Sequence, residues 1–253
     1  MNARLNNNRR DFLRMSAGGG AFLILNSCGG EKAAPGTGSG KPVSAKIDGD
    51  KKGGEVTATE DLMREHGVLR RALLVYSEAA AKLRSSPSSV APGALQKAAR
   101  LFRVFGEEYH EQKLEEAYIF PAVKKTGGLA GSYADILIAQ HARGREITDY
   151  ILAVTNGARL GIASAGQLAG AFDSLVRMYR AHASREDTIV FPAWKQTLTG
   201  EQLDEMNDRF EDIEHEQFGE DGFEDAVKQI SEIESELGFA DLATFTAPVP
   251  PAP

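Results

Sequence analysis

The chain has 253 residues, 42% of them hydrophobic and 26% charged, which is enough apolar material for one substantial core and too much for a disordered protein. Its formal net charge of -7, with no Lys/Arg block in the second half, removes the electrostatic footprint that nucleic-acid binding needs. A single cysteine, Cys28, excludes internal disulfides, iron–sulfur clusters and thiolate zinc sites, so any metal must be held by nitrogen and oxygen.

Residues 1–28 read as a targeting segment. Asn8-Arg9-Arg10-Asp11-Phe12-Leu13-Arg14 precedes a run of small and apolar residues, Met15 to Leu25, that is too short to span a bilayer. The segment resembles a twin-arginine export signal, with Arg9 and Arg10 as its diagnostic pair. Leu25-Asn26-Ser27-Cys28 resembles a bacterial lipobox, from which Asn26 departs. The resemblance implies the twin-arginine export machinery as a partner, a periplasmic or membrane-anchored location, and a lipid anchor through Cys28. Residues 29–55 carry Gly, Pro, Ser, Lys and Asp with almost no large apolar side chain, and read as a flexible linker. Residues 56–240 form the expected domain, and 241–253 a proline-rich tail.

The domain has helical periodicity and almost no strand alternation, so an all-α fold is expected. Leu62, Leu69, Leu73 and Leu74 place an apolar stripe on a first helix from about residue 59 to 83, and Leu95, Ala99, Phe102 and Phe105 do so on a second. A third helix is expected from about 132 to 155. Ser164 with Gln167, and Thr199 with Gln202, have capping-box spacing and mark the starts of a fourth helix and a shorter fifth. Ser85-Ser86-Pro87, Gly127-Gly128 and Asn156-Gly157 break the chain between the stripes. Short connections make neighbours antiparallel. The expected architecture is an up-down antiparallel four-helix bundle with an additional C-terminal helix.

The histidines are His66, His110, His141, His182 and His215. Helices rise ~1.5 Å per residue, and the legs from His66 to the first loop and on to His110 are about 20 and 17 residues. The legs from His110 to His141 are about 16 and 10, and those from His141 to His182 about 15 and 18. The first four histidines, one per helix, therefore stand near one level, where a core metal site is built. Carboxylates accompany them. His182 and Glu186 lie one helical turn apart on one face, able to approach one metal or bridge two. Glu115-Glu116-Ala117-Tyr118-Ile119-Phe120-Pro121 aligns without a gap on Glu186-Asp187-Thr188-Ile189-Val190-Phe191-Pro192, as in a duplicated unit. In that alignment Glu115 follows His110 by five residues rather than four, which predicts a bulge in the second helix that turns Glu115 back toward the metal. Glu116 and Asp187 are expected on a solvated face.

The set His66, His110 with Glu115, His141, and His182 with Glu186 before Phe191-Pro192 resembles the hemerythrin-like cation-binding domain over most of residues 58–195. The resemblance implies a centre of two non-haem iron ions, bridged by two carboxylates and an oxo or hydroxo group, that meets dioxygen or related small oxidants. Manganese or zinc would satisfy the same donors. Arg145 departs from the family's oxygen carriers, which place a second histidine one turn after the third-helix one. His215, about 15 residues past the loop after the fourth helix, is the candidate replacement, against the plainer reading of a surface imidazole among acids. Three readings stay open: a module that takes up, senses or sequesters, a di-iron oxidoreductase acting on peroxide, nitric oxide or ferrous iron, and a metal-free helical bundle with an interaction role, which the levelled histidines disfavour.

Overall fold

Thr57 opens the first helix, α1 (Ala58–Ser85), through a capping box in which its hydroxyl accepts from the Glu60 amide while the Glu60 carboxylate accepts from the Thr57 amide. The computed structural model describes residues 56–219 and 221–251, so the export signal, lipobox and linker expected before residue 56 lie outside the described residues. The α2 helix, residues 92–126, begins with a Pro92-containing first turn, where the missing amide costs nothing. It runs through Pro92–Leu101, a π-helical stretch Phe102–Ile119, and Phe120–Thr126, and stops at Gly127, whose φ of 79° suits glycine. The α3 helix is Gly128–Val154. The α4 helix, residues 162–196, joins Ile162–Arg185, a π turn Glu186–Val190, and Phe191–Gln196.

Two helices follow the bundle where one was expected. The α5 helix (Gly200–Phe218) starts with the anticipated Thr199–Gln202 capping box and ends on left-handed Gly219. The α6 helix (Gly222–Leu237) starts with Asp221 accepting from the Glu224 amide. The Ser164–Gln167 pair does not cap α4, which begins two residues earlier with Gly161 at its cap and no side-chain bond there.

Paired residues fix the directions. Tyr76 of α1 meets Phe102 of α2 at one end and His66 meets His110 further along, so the numbering runs in opposite senses. Gln96 reaches Leu152 while Glu116 reaches His141, and His141 faces His182 while Tyr76 stacks on Phe172 and His66 on Phe191. Each helix is thus antiparallel to its neighbours, as in an up-down bundle. The interior is filled by Tyr76, Tyr109, Phe102, Phe105, Phe120, Phe172 and Phe191, all essentially without solvent contact. The added helices cover α1 and α2. Phe218 packs on Phe105 and Tyr109, and Arg71 forms an ion pair with Glu234. No helix among the described residues is long and apolar enough to cross a membrane.

Candidate metal centre

The local backbone explains how the carboxylates reach the core. Pro121 and Pro192 have no amide hydrogen, and a prolyl ring inside a helix clashes with the carbonyl one turn back. The turns ahead of both prolines are widened. Phe120 N–H donates to the Glu115 carbonyl and Phe191 N–H to the Glu186 carbonyl, each five residues back. In π geometry a five-residue step returns to the same face, which aligns Glu115 with His110 as the bulge expectation required. The stretch is longer than the single turn expected. Before Glu186 the backbone is still α-helical, so the four-residue step from His182 serves there. The two phenylalanines then wall the site, Phe191 stacked on His66 and Phe120 beside His141.

The six inner residues meet as two matched halves. His66 and His110 lie with ring centroids 4.7 Å apart, and His141 and His182 likewise at 4.7 Å. Glu115 directs one oxygen to each half: Oε1 is 3.4 Å from His110 Nε2 and Oε2 is 3.3 Å from His141 Nε2. Glu186 does the same, with Oε2 3.6 Å from His66 Nε2 and Oε1 2.8 Å from His182 Nε2. Within Glu115, His141, His182 and Glu186, one ligand atom from each lies within 4.8 Å of the others, and His66, His110 and Glu115 form an equivalent group. Two carboxylates thus span two sets of imidazole nitrogens.

The other ring nitrogen of each histidine is bonded outward. Nδ1 of His66 meets Asp187 at 2.6 Å, that of His110 meets Glu65 at 2.6 Å, that of His141 meets Glu116 at 2.8 Å, and that of His182 meets Gln140 at 2.9 Å. These partners are held in turn: Arg70 bonds Asp187, Tyr109 donates to Glu65 at 3.1 Å, and Arg145 donates to Glu116 at 2.8 Å. Such outer acceptors fix the ring orientation and present Nε2 inward as a donor atom for a cation. Glu116 and Asp187 are therefore not a solvated face, because both are partly buried and orient ligands.

The electrostatics are those of a site built for positive charge. Burial alone would lower the His110 pKa, but Glu115 and Glu65 lift it well above the usual imidazole range. His141 is raised to about 10 against its own burial by Glu111, Glu115 and Glu116. Burial pushes Glu115 up, yet His110 and His141 hold it well below the usual carboxylate range. Both oxygens of Glu115 and of Glu186 are buried and accept no well-directed hydrogen bond, although imidazole nitrogens stand close. Burying two carboxylates this way costs several kcal/mol unless a cation compensates, so the residues present fit bound metal ions. Neutral imidazoles with carboxylates suit iron, and also manganese or zinc.

A small pocket opens on the centre between α1 and α4, walled by Leu69, Leu73, Tyr179 and Ala183 with the exposed Arg70 at its rim. Its free volume of about 10 Å³ holds roughly one water-sized molecule.

The structure does not bring His215 to the centre. It is exposed on α5, whose buried face is Asn207, Phe210, Ile213 and Glu214. The level of His215 along the bundle was compatible with a ligand role, but α5 packs outside the four core helices and turns this imidazole to solvent. Arg145 is no ligand either: its guanidinium bonds Glu116 and, at 3.3 Å, Glu111. Sequence reasoning missed Glu65, Glu111, Gln140 and Tyr179. Glu65 sits beside His66 and carries no spacing signal of its own, whereas Glu111, four residues before Glu115, was open to a helical-face reading.

Comparison with known proteins agrees with this geometry. The model of the hemerythrin HHE cation binding domain matches residues 57–194. An uncharacterized protein of Mycobacterium tuberculosis and one of Mycobacterium bovis are each 41% identical over 239 residues, covering 94% of this chain and 90% of the relative. No solved structure matches.

Proposed function

Because the chain belongs to the hemerythrin HHE cation-binding domain family, we propose that it binds two non-haem iron ions between Glu115 and Glu186 and that the ferrous pair reacts with dioxygen or a related small oxidant. The observation that carries this reading is the division of each carboxylate between two imidazole pairs, one oxygen to each. Iron held there in the ferrous state would supply electrons to an oxidant. The residues of this chain do the rest. Glu115 and Glu186 offset the charge of both cations, and the outward bonds of the four histidines hold the rings in place. Leu69, Leu73 and Ala183 give the small pocket on the centre an apolar wall.

With Arg145 tied to carboxylates and His215 at the surface, two histidines serve each half, which leaves room for an oxidant at the centre. Metal ions held by these donors would keep positions open, which would favour turnover over reversible carriage. The anaerobic ferrous protein mixed with dioxygen is expected to reach a stable diferric form. A dioxygen adduct that disappears under vacuum and returns on re-exposure would establish reversible carriage instead.

Export through the twin-arginine machinery, with lipidation at Cys28, belongs to the same proposal and rests on Arg9-Arg10 and the apolar run that follows. A twin-arginine substrate crosses the membrane folded, which suits a protein loaded with metal before export.

A further inference from the structure

Glu107 lies one turn before Glu111 on α2, is completely buried at 0% exposure, and takes no part in the centre described above. Thr148 of α3 donates to its Oε1 at 2.6 Å. Arg103, a turn earlier on α2, stands with Nε 2.9 Å from Oε2, and also pairs with Asp149, a residue at the surface. Oε2 nevertheless accepts no well-directed hydrogen bond, and the buried Tyr76 hydroxyl of α1 has no partner. Tyr179 of α4 and Arg145 of α3 complete the charged and titratable groups around it. The Tyr179 hydroxyl donates to Glu111 at 2.6 Å, and Tyr179 and Glu111 both line the metal pocket. All four bundle helices thus place polar groups near Glu107, between the Arg103–Asp149 surface and the pocket.

Burying an ionised carboxylate is costly, and the Arg103 guanidinium that stands against Glu107 is shared with Asp149. Being protonated near neutral pH removes most of that cost. Burial pushes the Glu107 carboxyl up to about 7; the Thr148 bond opposes this, Glu111 adds to it, and Arg103 and Arg145 pull it down.

We propose that Glu107 is a proton-holding site that serves the metal pocket through the Tyr179–Glu111 pair and is refilled from solvent where Arg103 meets Asp149. The proposal rests on the functional reading above, since reduction of an oxidant consumes protons inside an apolar bundle. Hydrogen peroxide shows the balance: its O–O bond breaks, two ferrous ions give two electrons, two protons are taken up, and two waters and two ferric ions result. Glu115 and Glu186 cannot lend those protons while they face cations. Glu107 acts through its neighbours and is a positioning residue in that sense.

Infrared spectroscopy of the zinc-loaded, redox-silent protein tests the proton site without iron chemistry. The wild type is expected to show a carboxylic-acid C=O stretch that fades as pH rises through about 7, and Glu107→Gln to lack it. Thr148→Val, which removes a bond favouring the ionised form, should move the fading to higher pH; this variant keeps the test available should Glu107→Gln fold poorly. Ferrous-loaded Glu107→Gln should be oxidised by hydrogen peroxide at least ~10-fold more slowly at pH 6, without the inflection near neutrality, and Glu107→Asp should restore part of the rate. A band that survives in Glu107→Gln, or oxidation by that variant at the wild-type rate with the wild-type pH profile, overturns the proposal. A chain that takes up no iron would instead overturn the functional reading, with the infrared band still in place.

Discussion

His182 and Glu186 stand in one half of the centre, with Glu186 shared between both, so replacing either should disable metal uptake without harming the helices that carry them. Elemental analysis of His182→Ala and Glu186→Ala is expected to show loss of most bound metal, and far-ultraviolet circular dichroism little change. The outer partners matter less steeply. Glu116→Gln keeps a hydrogen bond to His141 but removes the charge, and a metal affinity ~10–100-fold weaker is expected in a competition titration. Protons compete for the same nitrogens. His141 is raised to about 10 in the metal-free protein, so at pH 7 it is charged there and must lose its proton to bind metal. Calorimetry in buffers of different ionisation enthalpy should therefore detect proton release on loading, and affinity should rise with pH between about 6.5 and 10. For the metal-free fold the sign is reversed. The raised His141 contributes stability that is complete below its unfolded value and lost as pH rises through about 10, while the depressed Glu115 contributes above its unfolded value and fails as pH falls.

Among the elements, α2 owes its ligand geometry to the wide turns placed ahead of a proline. Pro121→Ala restores an amide hydrogen and lets the turn tighten to α geometry, which rotates Glu115 away from His110 and His141. The expected result is a reduced metal content with unchanged helicity, measured side by side with the wild type. The α3–α4 contact depends on Gly144, because a Cβ there would overlap the Tyr179 hydroxyl and ring. Gly144→Ala should lower stability by about 1–3 kcal/mol in urea denaturation, despite the better helix propensity of alanine. The same close approach holds the Tyr179 hydroxyl against Glu111, so the variant also disturbs the pocket wall.

For the whole molecule, the centre ties all four bundle helices together, since His66, His110, His141 and His182 come one from each. Binding to the folded state alone adds about 2.7 kcal/mol at a free metal concentration 100 times the dissociation constant. Chelation should therefore lower the melting temperature of the purified protein, and re-addition of metal should restore it. Outside the described residues, Arg9→Lys with Arg10→Lys is expected to leave the precursor in the cytoplasm, and Cys28→Ala to release a soluble exported form, both read by cell fractionation. Export indifferent to the arginine pair would mean that another route is used.

The all-α class, the order of the bundle helices and the levelling of His66, His110, His141 and His182 were legible in the sequence, because helical period and rise are local properties of the chain. So was the bulge before Phe120-Pro121, which the extra residue between His110 and Glu115 required. What the chain could not disclose is which way a side chain faces once helices pack. His215 had a suitable height but stands on the outer side of α5, and the Arg145 guanidinium is bonded to Glu111 and Glu116. Glu116 and Asp187 resembled surface acids until neighbouring helices brought His141 and His66 to them. Glu107 is the clearest case, since its hydrogen bond comes from Thr148 of another helix, and Tyr76 and Tyr179 near enough to feel its charge come from two more. Period and rise are set by hydrogen bonds within one segment, but rotation about a helix axis, and hence the partners of each side chain, is decided only when the segments close on one another.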